Sequence, residues 1–173
     1  MTISPGNPTL VQVYIGEPIQ HRSDYDCLSE VYSILIQKGQ WAYVFANFHL
    51  ADRQVDLLVF TEKTTAIIEA KGYSFPVRGG TNGPWEQYGP NGSRKIGNAY
   101  EQAWNARNAL CDAIQRRYQT NGYPNGLVII TPEIPKGSEL APNYKVVIKG
   151  LSQVGPELAR SSGALLTQEQ CES

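Results

Sequence analysis

Two stretches decide how this chain is read: VDLLVF, residues 55–60, and TTAIIEAKG, residues 64–72. Each is apolar on both sides of a strand's two-residue alternation, the pattern of strands covered on both faces. Each nevertheless carries charge, with Asp56 near the start of the first and Glu69 and Lys71 near the end of the second. If Thr61-Glu62-Lys63-Thr64 closes a hairpin centred between Glu62 and Lys63, then Thr61 faces Thr64, Phe60 faces Thr65, and Asp56 faces Glu69. Opposed residues of an antiparallel pair project to the same side, with Cβ atoms about 4.5–5.5 Å apart, and Lys71 shares that side. Two carboxylates held opposite each other destabilise a sheet unless something cationic lies between them. The spacing therefore asks for Lys71 or a metal ion in that role, and hard oxygen ligands of this kind suit Mg²⁺ or Mn²⁺.

Working outward, SDYDCLSEVYSILIQKG (residues 23–39) predicts a helix with Ser23 as N-cap, Asp26 three residues on and Gly39 as its stop. Cys27, Leu28, Val31, Ile34 and Leu35 form its apolar stripe, with Glu30 at the edge beside Ile34. WAYVFANF reads as a strand. A second helix is predicted over residues 98–118, with Ala99, Ala103, Ala106, Leu110, Ala113 and Ile114 on one face. Gln102 falls within that stripe, where a buried amide needs partners: either backbone in the core or the charged strands. Two late strands (126–130 and 145–148) precede a short helix at SQVGPELAR. The predicted order is αβββαββα, an α/β fold with a mixed sheet flanked by helices.

Residues 72–97 are rich in Gly and Pro, and a small hairpin is expected there from residues 75–78 and 85–88 around GGTNG. Residues 161–173 read as a polar tail or the start of a linker to a further domain, leaving one domain over residues 1–160. At 173 residues, 41% hydrophobic and 18% charged, with a formal net charge of -1, the chain has the composition of one globular domain, and any nucleic-acid surface must be a local patch. Cys27, Cys111 and Cys171 form no CxxC pattern, which argues against a zinc site and a disulfide framework and points to a reducing cytoplasm. No run approaches the roughly 18 apolar residues of a membrane span. The start, MTISPGNPTL, has neither the basic nor the apolar part of a signal peptide. A nucleotide-binding domain is disfavoured because no GxxxxGK[ST] occurs.

Glu30 on the first helix, VDLLVF with Asp56, IIEAKG with Glu69 and Lys71, and NAYEQAWNARNAL with Gln102 resemble, in order and spacing, the nuclease-related domain (NERD) of the PD-(D/E)xK nuclease superfamily. The similarity covers residues 24–118, and GLVIITPEIP and KVVIKGLSQVGPEL resemble the family's closing strands and helix. In place of the superfamily's Pro-Asp pair stands Val55-Asp56. The resemblance implies a restriction-endonuclease-like fold and a metal-dependent phosphodiesterase. Asp56, Glu69, the backbone carbonyl of Ala70 and Glu30 would hold one or two Mg²⁺ or Mn²⁺ ions. Lys71 would position the attacking water, and Gln102 would orient Lys71 or the phosphate. It further implies a DNA substrate, with RNA the alternative, and a helicase, kinase or other module in the same or a partner protein. In residues 72–97, Arg78, Arg94 and Lys95 are candidates for backbone contacts, and Tyr73, Phe75, Trp85 and Tyr88 for stacking, with surface charge and a small satellite core as the competing reading. The competing function is a nuclease-fold module that has lost catalysis and serves as a nucleic-acid-binding or protein-interaction scaffold.

Overall fold

The computed structural model of the chain describes residues 10–141 and 145–173; the signal-peptide reading falls almost wholly on residues 1–9, outside the described residues. The chain runs through strand β1 (Val11–Ile15), helix α1 (Arg22–Lys38) and a meander of β2 (Ala42–Leu50), β3 (Arg53–Thr61) and β4 (Thr65–Gly72). Three short strands follow, β5 (Val77–Gly79), β6 (Trp85–Gly89) and β7 (Gly92–Ile96), and then the long helix α2 (Ala99–Tyr118). The last part comprises β8 (Asn125–Thr131), β9 (Glu139–Leu140), β10 (Val146–Gly150), a 3-10 turn (Leu151–Gln153), α3 (Val154–Leu158) and α4 (Gln168–Glu172).

The main sheet is six-stranded in the order β1-β2-β3-β4-β8-β10. β3 runs antiparallel to both of its neighbours, β2 and β4, whereas β1 lies parallel to β2, and β4, β8 and β10 run parallel to one another. One face packs against α1 and α3 through Cys27, Val31, Leu35, Val154 and Leu158. The other packs against α2 through Ala106, Leu110 and Ile114. This is the mixed sheet flanked by helices that the sequence predicts. The turn joining β3 to β4 is the even one expected: Thr61 N–H donates to Thr64 O at 2.8 Å, and the Thr61 hydroxyl accepts the amides of Lys63 and Thr64. Gly39 ends α1 in the left-handed conformation, φ 63°, where a side chain would be strained.

Several expectations are corrected. The N-cap of α1 is His21, without a side-chain cap bond; Ser23 lies inside the helix and donates to Asp24. Ala113 is exposed, because Cys111 and Ile114 carry the buried stripe of α2. β1 is absent from the predicted order: as an edge strand it buries only Val11, so its sequence lacks a strong apolar signal. The predicted small hairpin is real, pairing Val77 with Gln87 and Arg78 with Glu86, but it belongs to a four-stranded sheet in the order β7-β6-β5-β9. Trp85 is its fully buried centre, and its indole N–H donates to Gly80 O at 2.9 Å. A Cβ on Gly79 would stand 2.0 Å from the indole ring, so the backbone approaches that ring in a way only glycine permits.

Residues 161–173 are not a detached tail. Ala164 and Leu166 are buried, the latter with Cys171 against the α2 side of the sheet. Ser162 bonds the β3–β4 turn twice, through its amide to Lys63 O and its hydroxyl to the Thr65 amide. α4 opens with a reciprocal Thr167–Gln170 capping box. Among the described residues no helix is long and apolar enough to cross a membrane, and all three cysteines are free thiols.

Candidate active site

The ladder between β3 and β4 keeps the predicted register through Leu58↔Ile67 and Leu57↔Ile68, and there it ends. Continued, it would set Asp56 opposite Glu69 and Val55 opposite Ala70. Instead the strands part, and the Asp56 carboxylate accepts the Ala70 amide at 2.7 Å. A strand residue's N–H and C=O point to the same lateral edge, so the Ala70 carbonyl is also turned toward the gap beside Asp56. The parting coincides with an irregularity in β2, where Asn47 takes a left-handed φ of 48° one position before Phe48, the partner of Val55. The buried Asn47 amide fixes this bend by donating to the carbonyls of Glu17 and Pro18.

The gap opens into a cleft of about 780 Å³. Asp56, Glu69, Ala70 and Lys71 form its floor, the first turn of α1 (Arg22, Ser23, Asp24) one wall, and Gln102 and Ala106 of α2 another. Asp52, Arg53 and Gln54, at the tip of the β2–β3 hairpin, stand at its mouth. Gly72 at the end of β4 lies against the first turn of α1, within ordinary contact distance of Ser23.

Glu69 is buried and Lys71 Nζ stands 2.7 Å from its Oε1. Burial raises the Glu69 carboxyl above its ordinary value, although Lys71 pulls the other way. Burial, together with the charges of Glu69 and Asp24, pushes Asp56 up to about 7. Burial lowers the Lys71 ammonium, but Glu69 and Asp56 outweigh it and leave its pKa raised. A third acid, Asp24, is 5% exposed and raised by burial; its field reaches both Asp56 and Glu69. Three carboxylates thus lie near the Lys71 ammonium, and burial, with like charge at Asp56 and Glu69, raises all three. Besides the His21 imidazole its acceptors are oxygens, and those of Asp56, Glu69 and the Ala70 carbonyl fit a hard divalent cation. Among the described residues, no group of three or more His, Cys, Asp and Glu side chains is arranged to hold a metal ion by itself. An ion here would keep part of its shell for water or phosphate, as Mg²⁺ commonly does.

Sequence reasoning brought Asp56, Glu69, Lys71 and Gln102 to one cleft, but Gln102 is exposed rather than a buried amide. Glu30 does not join them. It lies on an exposed part of α1 and does not line the cleft. At roughly 100° per residue it sits about 120° around the helix from Asp24. Asp24 was missed, although a signal existed: it falls at the i, i+3, i+4, i+7 positions shared by Cys27, Leu28 and Val31, and is therefore an acid inside an apolar stripe. Trp85, a candidate for stacking with a small core as the competing reading, is core. Register also separates the expected cations. Arg94 lies opposite Gln87, on the Trp85 face of the small sheet, whereas Arg78 and Lys95, both paired with Glu86, lie on the other face, away from that side. Arg78 there covers the Tyr88 ring, 4.7 Å from its centroid.

Comparison with curated proteins and with solved structures returns no match. A family model does match: residues 26–131 fit the nuclease-related domain, a span that contains β2 to β8 with Asp56, Glu69, Lys71 and Gln102. The mixed sheet between helices is consistent with a nuclease-like fold, and with more than half its length matched, this chain belongs to the nuclease-related domain (NERD) family.

Proposed function

We propose that the cleft hydrolyses phosphodiester bonds of DNA with the help of Mg²⁺ or Mn²⁺. The observation that carries this reading is the convergence of Asp24, Asp56 and Glu69 on one open cleft together with Lys71, which is ion-paired to Glu69. Asp56, Glu69 and the Ala70 carbonyl would hold the ion, with Asp24 adjoining them. A bound divalent ion supplies Lewis acidity and lowers the pKa of a coordinated water. Lys71, held by Glu69, presents N–H donors to a non-bridging phosphate oxygen and to the attacking water, and offsets the charge that grows on the phosphate. Gln102, exposed on the α2 wall, donates its amide to the phosphate. Arg22 and Arg53 at the cleft's margin contact flanking phosphates, although Arg22 is partly neutralised by Asp26 at 2.7 Å. Work on DNA inside the cytoplasm, alongside a helicase, kinase or other module, is the setting this activity fits.

The second reading is a scaffold without catalysis, favoured by the absence, among the described residues, of a ready-made cage of metal ligands. Incubation with supercoiled plasmid separates the two. The nuclease reading expects nicked and linear DNA with Mg²⁺ or Mn²⁺, none with EDTA, and none with Lys71→Ala. Intact plasmid under all conditions favours the scaffold.

A further inference from the structure

Next to the cleft lies a second hollow, of about 470 Å³, whose lining shares Gly72 with it. Its wall is the face of the β6–β7 hairpin that carries Gln87 and Arg94. Gln87 is 5% exposed, and its Oε1 accepts from both Nε and Nη2 of Arg94, at 3.1 and 2.8 Å. The guanidinium is therefore clamped on one edge by a buried amide and cannot swing freely. Among the described residues no carboxylate pairs with it. Lining the same hollow is Phe75, an aromatic 41% exposed. Its ring rests on the hairpin end, where a Cβ on Gly89 would lie 3.7 Å from Cδ2. A folded chain ordinarily covers such a ring or places it singly at random; here it lines, with a fixed, unneutralised cation, a hollow that adjoins the cleft at Gly72.

Resting on the nuclease reading of the cleft, we propose that this hollow is a subsite for one unpaired nucleotide next to the scissile phosphate, with Phe75 stacking on its base and Arg94 binding its phosphate. A planar aromatic face and a preorganised guanidinium match those two parts of a nucleotide. A hollow of this volume lies in the range of small-ligand sites. A base inside a duplex has both faces covered by its neighbours, so only a single-stranded, frayed or overhanging base reaches Phe75. The substrate class is therefore nucleic acid with an unpaired stretch at the cutting site.

The test is fluorescence anisotropy in EDTA, so that neither metal nor cleavage enters, using a labelled single-stranded oligonucleotide and a blunt duplex of the same length. Wild type is expected to bind the single strand more tightly. Phe75→Ala should weaken single-strand binding by about ten-fold, the order expected for loss of one base–aromatic stack, and duplex binding by less than about two-fold. Phe75→Tyr should retain the preference, and Arg94→Gln should lower the salt dependence of single-strand binding by about one ion. Circular dichroism melts confirm that each variant is folded. An unchanged single-strand to duplex ratio in Phe75→Ala, a duplex preference in wild type, or no measurable binding overturns the subsite. The nuclease reading falls with it only if plasmid cleavage is also absent.

Discussion

Asp56 and Ala70 are joined where the β3–β4 ladder stops: the carboxylate takes the backbone amide, at 2.7 Å, that a continued ladder would have given to Val55. This contact holds the strands apart by one side chain and keeps Asp56 next to Glu69 at the floor of the cleft. It also favours the ionised acid, yet burial and the neighbouring acids win, and Asp56 stays raised to about 7.

The first prediction concerns pH in the metal-free chain. Because the folded pKa lies above the ordinary carboxyl value of 3.8, folding is favoured by a proton on Asp56, and that contribution is fully present below about pH 4 and lost as pH rises through about 7. In that window the folded state holds a proton the unfolded state has released, a slope of at most about 1.4 kcal/mol per pH unit from this group. Denaturant unfolding of wild type and Asp56→Asn across pH 4 to 8 should give curves that nearly coincide at the acid end and diverge at neutral pH, with the variant more stable there. A gap that does not change with pH would contradict the assignment.

Lys71, partly buried, is ion-paired to the buried Glu69, so removing one partner should cost more than removing both. Lys71→Met should destabilise the metal-free protein by about 3 kcal/mol, the order found when a buried ion pair loses one member. Adding Glu69→Gln should restore most of the loss, since the stranded charge is gone. Urea midpoints of the four proteins in the cycle supply the measurement, and strictly additive effects would refute the coupling.

Asp24 tests whether the α1 wall takes part in chemistry. Asp24→Asn removes a buried like charge, so the metal-free melting temperature should hold or rise, while metal-dependent cleavage falls on the order of ten- to hundred-fold. Glu30→Gln should change neither. An Asp24→Asn enzyme of wild-type activity would confine the site to β3 and β4.

Trp85 and Phe75, ten positions apart in one Gly-rich connection, have opposite roles. Trp85→Ala should cost about 3–5 kcal/mol, because it empties the centre of the small sheet and removes the shorter of the two hydrogen bonds to the Gly80 carbonyl, leaving that from Asn98. Its measured effect should be on thermal stability, with Trp85→Phe intermediate. A Trp85→Ala protein of unchanged stability but lost DNA binding would contradict its place in the core.

The hairpin and its acids were legible because one even turn, Thr61-Glu62-Lys63-Thr64, determines which residues of two strands face each other. The end of that ladder was not legible, since it follows from the bend at Asn47 on a different strand. Glu30 was misplaced by reading closeness to an apolar stripe as direction, whereas Asp24 lies within the stripe and points with it. Residues 161–173 looked like a tail because their letters are polar. Burial of Ala164 and Leu166, separated by the exposed Leu165, is a tertiary matter that local composition does not reveal. Trp85 was ambiguous for the same reason: an aromatic in a Gly-rich connection serves equally as surface or core until Gly79 is seen to make room for it.

The central claim, that Asp56 belongs to a catalytic metal site rather than to the scaffold of the sheet, is tested most directly by melting wild type and Asp56→Asn with and without Mn²⁺ alongside plasmid cleavage. An ion that binds only the folded state at about ten times its Kd adds about 1.4 kcal/mol, a melting shift of a few degrees for a domain of this size. The account predicts that Asp56→Asn melts no lower than wild type without metal, shows no Mn²⁺ shift, and cuts no DNA. If Asp56→Asn melts lower and Mn²⁺ shifts both proteins alike, Asp56 is structural and the account is contradicted.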